Sequence, residues 1–123
     1  MSMFAKKSRL VIWALACLLP LPAVAMPLTC TFTTECLDTE GCQDTTYEVT
    51  FGAVNERFLM SGIAAERAFD LMSEEDGHRA FVSDAQNGAV GLMTLLSDWA
   101  ASYAEVGLFE GSYAVCYHGE CRE

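Results

Sequence analysis

Five of the six cysteines, two histidines and one acidic run are the residues of this chain that could do chemistry. Cys30, Cys36 and Cys42 stand at equal gaps in "CTFTTECLDTEGC", and Cys116 and Cys121 lie near the end. Zinc sites usually present cysteines two to four residues apart. The gaps here are wider, and His78 and His118 are far off in sequence. Thioredoxin-like chemistry needs C-x-x-C at a helix start, and no such pair occurs. The pattern predicts structural disulfides.

Strand parity selects the bridges. In "LTCTFTTEC", Leu28, Cys30 and Phe32 alternate with Thr29, Thr31 and Thr33, which places Cys30 on a buried face. In "SYAVCYHGEC", Cys121 shares parity with Tyr113, Val115 and Tyr117, while Cys116 sides with Ser112, Ala114, His118 and Glu120. If the bulkier set faces inward, Cys121 meets Cys30 and ties the first strand to the last. Cys36–Cys42 would close "LDTEG", whose Asp and Gly suit a turn. Chain entropy assigns about 2.4 kcal/mol to that short loop and about 4.6 to the long one. Both are large against a total stability of roughly 5–15 kcal/mol. Cys116 is left over, as a quiet, partly covered thiol or as the link in an intermolecular disulfide. A Cys116–Cys121 bridge is disfavoured, because five extended steps separate the Cα atoms by about 16 Å.

Catalytic sets are thin. Cys116 and His118 share a strand face, but side chains two apart sit about 6.5–7 Å apart along a strand, too far for direct proton transfer without a bend. Nothing supplies an oxyanion hole for such a dyad. "DLMSEEDG" gathers Asp70, Glu74, Glu75 and Asp76 without the EF-hand spacing, and reads as a solvated acidic turn. Carboxylate pairs for glycoside hydrolysis have little room for a substrate cleft in so short a chain. The expectation is a protein that is not an enzyme and holds no cofactor or metal.

The elements that must position these residues begin after a leader. Lys6, Lys7 and Arg9 precede the apolar run "LVIWALACLLPLPAVA", which ends in Ala23-Val24-Ala25. A positive start, a short apolar core and an A-x-A site predict a signal peptide, 1–25, and a periplasmic or secreted product. A membrane anchor fits less well, since the run is short of the roughly 20 residues a span needs and contains Pro20 and Pro22. Cys17 offers a third reading, a lipid-modified cysteine, which the loose match of the preceding "ALA" and the apolar continuation disfavour. Cleavage removes three cations and no acids, so the formal charge falls from -10 to -13. Arg57, Arg67, Arg79 and Arg122 are then the only full cations. Nucleic acid and anionic membranes are poor partners for such a surface. Basic proteins, cationic peptides or divalent metals remain, beside the plainer role of solubility. Residues 26–123 make one domain.

That domain reads as strands. "TYEVTFGAV" alternates, recurring glycines punctuate short segments, and Asp76-Gly77, Asn87-Gly88 and Ser97-Asp98 mark turns. Two segments resist. "GIAAERAFDLMSEED" is rich in helix formers, and its Glu66, Arg67 and Asp70 could line a solvated face. "VGLMTLLSDWAASYAEV" spaces its apolar residues as a helix would, so an α+β fold with a helix near 89–106 is the alternative. The expected fold is all-β: an antiparallel meander that curls into a small barrel or half-closed sheet, stapled by disulfides.

The tail "TLLSDWAASYAEVGLFEGSYAVCYHGEC", with the cysteine-bearing opening after the signal, resembles small exported proteins of unknown function from alphaproteobacteria. Those have a strand–turn–strand unit and a final strand ending in Gly-x-Cys. This chain departs from them at Trp99, where a turn glycine is usual, and in its additional Cys116. The resemblance implies a β-rich export product and no activity.

Phe32, Tyr47, Phe51, Trp99, Tyr103, Phe109, Tyr113 and Tyr117 would fill a small barrel or line a pocket in it. A filled interior favours a structural or protein-interaction domain, monomeric or linked through Cys116, acting through an acidic surface. A hollow one favours a carrier of small apolar ligands.

Overall fold

The computed structural model describes residues 24–63 and 66–123. Of the expected signal peptide only Val24 and Ala25 fall among them; the rest, with Cys17, lies outside the described residues. The described residues form eight strands: β1 (Val24–Leu37), β2 (Gly41–Val54), β3 (Arg57–Ser61), β4 (Glu66–Glu75), β5 (His78–Ser83), β6 (Ala89–Leu95), β7 (Ala100–Leu108) and β8 (Ser112–Arg122). Each pairs antiparallel with the next, and β8 returns to β1, so the meander closes into a barrel. The all-β expectation holds in its closed form. The segment weighed as a helix, 89–106, is the β6–β7 hairpin turning at Ser97-Asp98.

Turn chemistry places the hairpins. Asp76-Gly77 and Asn87-Gly88 each combine two positive φ angles, the pattern that matches strand twist. Trp99 also adopts a positive φ, 74°. That conformation is rare for a bulky residue and free of strain for glycine. The helix-forming stretch near 66–75 is β4, because Phe69 sits between Phe58 of β3 and Ser83 of β5 and is fully buried. Burial on a pleated face outweighs the local preference for helix.

Inward positions of successive strands meet in a packed lumen. Phe32, Val49, Phe69, Phe81, Met93 and Leu95 are among its buried residues, with the Cys30–Cys121 disulfide beside them. Phe51 meets Phe69 and Phe81 edge-on, with ring centroids 5.7 and 4.9 Å apart. Such contacts add to the burial of apolar area. Phe109 does not join them: it lies at a hairpin tip, 75% exposed.

β1 is irregular at two points, between Ala25 and Leu28 against β2 and around Thr33. Its register with β8 shifts between Phe32 and Thr34, while Phe32 pairs with Gly119 and Thr34 with His118. Thr33 is the extra residue of a β-bulge. The bulge presses the β1 backbone against β8 at Gly119. A Cβ there would collide with the Thr31 carbonyl oxygen and stand 2.6 Å from Phe32 Cα. Gly119→Ala should therefore destabilise the barrel by about 3 kcal/mol, the upper end of overpacking penalties. Urea denaturation of the oxidised protein measures this; a loss below about 1 kcal/mol would mean that the two backbones do not approach as described.

Candidate functional site

The outer wall made by β2, β1 and β8 carries the densest set of polar and reactive side chains. Strand alternation turns Asp44, Thr46 and Glu48 of β2 outward, with Thr31 of β1 and His118, Glu120 and Arg122 of β8. The bulge adds Thr33 and Thr34 to this face and leaves Gly119 without a side chain beneath them. The result is an open groove of about 430 Å³ lined by Thr31, Thr33, Thr34, His118, Glu120 and Arg122. Arg122 Nη1 donates to Thr31 Oγ1 at 3.3 Å, and its Nη2 stands 3.7 Å from Glu48 Oε2. The Thr31 hydroxyl donates to the same carboxylate at 3.5 Å.

At one end of this wall lie the cysteines. Cys36 and Cys42 are bonded, directly opposite each other on β1 and β2. Cys36 is also directly opposite Cys116 on β8. Cys116 is the one free cysteine among the described residues, half-buried, with its Sγ 3.4 Å from His118 Nε2. The two side chains lean along the strand toward each other. The separation argued from strand rise is thereby corrected: the imidazole reaches along the strand to the thiol. The second bridge, Cys30–Cys121, is also a directly opposed pair and lies in the lumen. Both disulfides join the cysteines that parity and turn chemistry select.

The lumen is not apolar throughout. All four tyrosines of the chain gather toward the end that carries the 38–40 and 109–111 turns. Tyr103 and Tyr113 donate to opposite oxygens of Glu105 at 2.7 and 2.6 Å, and Tyr117 donates to Glu35 at 2.9 Å. Arg67, expected on a solvated helix face, instead points into this cluster 3.5 Å from Glu105, with a side chain only 13% exposed. Gly91 makes the cluster possible: a Cβ there would stand 2.8 Å from the Tyr103 ring. Burial raises the phenol pKa of Tyr103 and Tyr117 well above the usual value, and hydrogen bonds to Glu105 and Glu35 raise them further. Tyr113 is raised chiefly by its bond to Glu105, and Tyr47 by burial. Sequence reading missed this cluster, because it joins residues of five strands.

The opposite end opens on a cleft of about 260 Å³, walled by Phe51, Phe58, Phe81, Leu95 and Trp99 with Arg79 at its edge. It is shallow because Phe81 and Leu95 fill the lumen below.

Phenols held neutral by the fold make it sensitive to base. Their stabilisation is complete below the unfolded pKa of about 10 and is lost as pH rises beyond it toward the folded values. An alkaline titration should show tyrosinate absorbance appearing late and together with loss of near-ultraviolet circular dichroism. Four independent titrations centred near pH 10 in a still-folded protein would contradict the cluster. Comparisons with protein-family models, curated proteins and solved structures find no match to this chain.

Proposed function

We propose that this chain is an exported, non-catalytic interaction domain that docks a basic segment of a partner protein along the β2–β1–β8 wall. The observation that carries this reading is the contrast between a lumen closed by packed side chains and an open polar groove on the wall. A ligand carrier of this fold needs an interior volume, and Phe32, Phe69, Phe81 and Met93 occupy it. A closed barrel has no free strand edge, so a partner must be held by side chains rather than by an added strand.

Charge selects the partner. Arg57 is shared between Asp70 and Asp84 on the outer wall, Arg67 is turned into the lumen, and Arg122 lies against Glu48. Three of the four arginines among the described residues are thus engaged, and the excess of carboxylates faces solvent. Around the groove, Asp44, Glu48 and Glu120 outnumber Arg122. A polybasic segment fits this field, and nucleic acid does not. Charges line the β2–β1–β8 side, whereas the outward face of β5, β6 and β7 is largely apolar, with Leu92, Val106 and Leu108 exposed; a basic segment therefore belongs on the former. Two disulfides fit an oxidising compartment outside the cytoplasm. The leader expected from the sequence supports periplasm or secretion.

One observation favours a second reading, a small apolar ligand at the Trp99 cleft: a bulky aromatic held at positive φ beside an apolar recess. The recess falls below the roughly 300–1,000 Å³ usual for ligand pockets.

A fluorescein-labelled arginine-rich peptide distinguishes the two. It should bind the mature protein with an affinity that falls as salt rises. Glu48→Gln with Glu120→Gln should weaken it roughly 3- to 10-fold at low salt, the scale of two exposed ion pairs. Glu74→Gln with Glu75→Gln, on β4 across the barrel, should leave it unchanged. Equal losses in both double variants would reduce the interaction to net charge alone. A saturable change in Trp99 fluorescence with an apolar dye, and none with the peptide, would favour the carrier.

A further inference from the structure

We propose that Cys116 and the Cys36–Cys42 disulfide form a thiol–disulfide exchange site, in which the bridge moves between β1–β2 and β1–β8. This inference is independent of the docking reading. It rests on a row of three cysteines on three neighbouring strands. Cys36 is directly opposite Cys42 on one side and Cys116 on the other. Opposed residues in an antiparallel sheet point to the same face, so all three sulfurs lie on the outer wall. Cα separations of directly opposed residues are about 4.5 or 5.5 Å, both within the range that a disulfide spans. Cys36 can therefore bond either neighbour without movement of the backbone.

The row also supplies the direction of attack. Exchange at sulfur proceeds by a thiolate approaching one sulfur of a disulfide while the other departs. Adjacent strands lie about 4.8 Å apart along the hydrogen-bonding direction. Cys116, Cys36 and Cys42 follow one another along that direction, with the attacked sulfur between attacker and leaving group. His118 Nε2, 3.4 Å from Cys116 Sγ, is placed to take the thiol proton. The Cys116 sulfur then bonds Cys36 Sγ, the Cys36–Cys42 bond breaks with its electron pair on Cys42, and Cys42 takes a proton from solvent. One disulfide and one thiol stand on each side, so no oxidant or reductant is consumed.

The two states differ at the surface. In the first, the thiol is Cys116, half-buried on β8. In the second it is Cys42, exposed at the start of β2 beside the 38–40 turn. The exchange thus carries a reactive thiol from the wall to a hairpin tip, where a disulfide of another protein can reach it. The Cys30–Cys121 bridge, buried and on the inner face, takes no part and keeps the barrel closed in both states.

Alkylation of the folded, oxidised protein with iodoacetamide, followed by non-reducing peptide mapping, tests the site. The wild type should be labelled at both Cys116 and Cys42, with a Cys36–Cys116 peptide accompanying the Cys42 label. Cys116→Ser should remove the Cys42 label, and Cys42→Ser should yield a Cys36–Cys116 bridge with no free thiol. His118→Phe should slow Cys42 labelling several-fold while leaving both bridges accessible. Labelling of Cys116 alone at long times would overturn the proposal. So would Cys42 labelling that persists in Cys116→Ser. In Cys42→Ser, Cys36 and Cys116 remaining as separate thiols while Cys30–Cys121 forms would also overturn it, as would a disulfide-linked dimer that retains Cys116 in place of the exchange.

Discussion

The whole molecule depends on β1 lying between β2 and β8. That position joins the two ends of the sequence, and bringing such distant segments together carries a loop-closure penalty that rises slowly with length. The buried Cys30–Cys121 bond, with Cα atoms 3.9 Å apart across 91 residues, removes most of that penalty from the unfolded side. Without this seam β1 and β8 would both be edges, with unpaired backbone groups and an apolar inner face open to water. With it, each strand has two neighbours and the lumen is sealed.

Sealing sets what the lumen can contain. Near the Trp99 end it is phenylalanine and leucine, which need only neighbours. Toward the other end the rings are tyrosines, and each buried hydroxyl needs an acceptor. Glu105 and Glu35 accept those of Tyr103, Tyr113 and Tyr117, and Arg67 offsets part of the charge that this introduces. A buried carboxylate is tolerated only when its oxygens are satisfied in this way. The cluster is a consequence of using tyrosine to finish the core. It fills that end of the lumen, so the grooves among the described residues open on the wall and the rims.

Much of this was legible in local patterns and some of it was not. Alternation in "LTCTF" and in "SYAVCYHGEC" was enough to place Cys30 and Cys121 in one lumen, because both stretches lie on one side of any irregularity. Asp-Gly and Asn-Gly marked hairpins, since the backbone angles of those turns are nearly residue-specific. β3 and β4 were less visible. "RFLMS" is short, and "ERAFDLMSEE" is composed of helix formers, so only Phe69 and its neighbours across two strands decide the outcome. The Arg67–Glu105–tyrosine cluster could not be read at all, as it depends on register across five strands. Nor could the need for glycine at Gly119, which arises from the backbone of a distant strand.

The bulge at Thr33 connects these features. Cys30 and Cys36 are six residues apart, and in an unbroken strand they would share a face. One extra residue reverses the parity of β1, so Cys30 enters the lumen while Cys36 turns outward to meet Cys42 and Cys116. The same residue draws β1 onto β8 at Gly119 and opens the groove above it. A bulge also increases local twist and coil, which a sheet needs in order to close on itself. Closure, the separation of one permanent bridge from one exchangeable one, and the polar wall therefore share a single cause. Bulges of this kind are commonly found at barrel rims and next to sites of function. Here it sets the β2–β1–β8 face apart from the rest of the barrel, whose other register shifts lie between Ala25 and Leu28 and between Leu71 and Ser73.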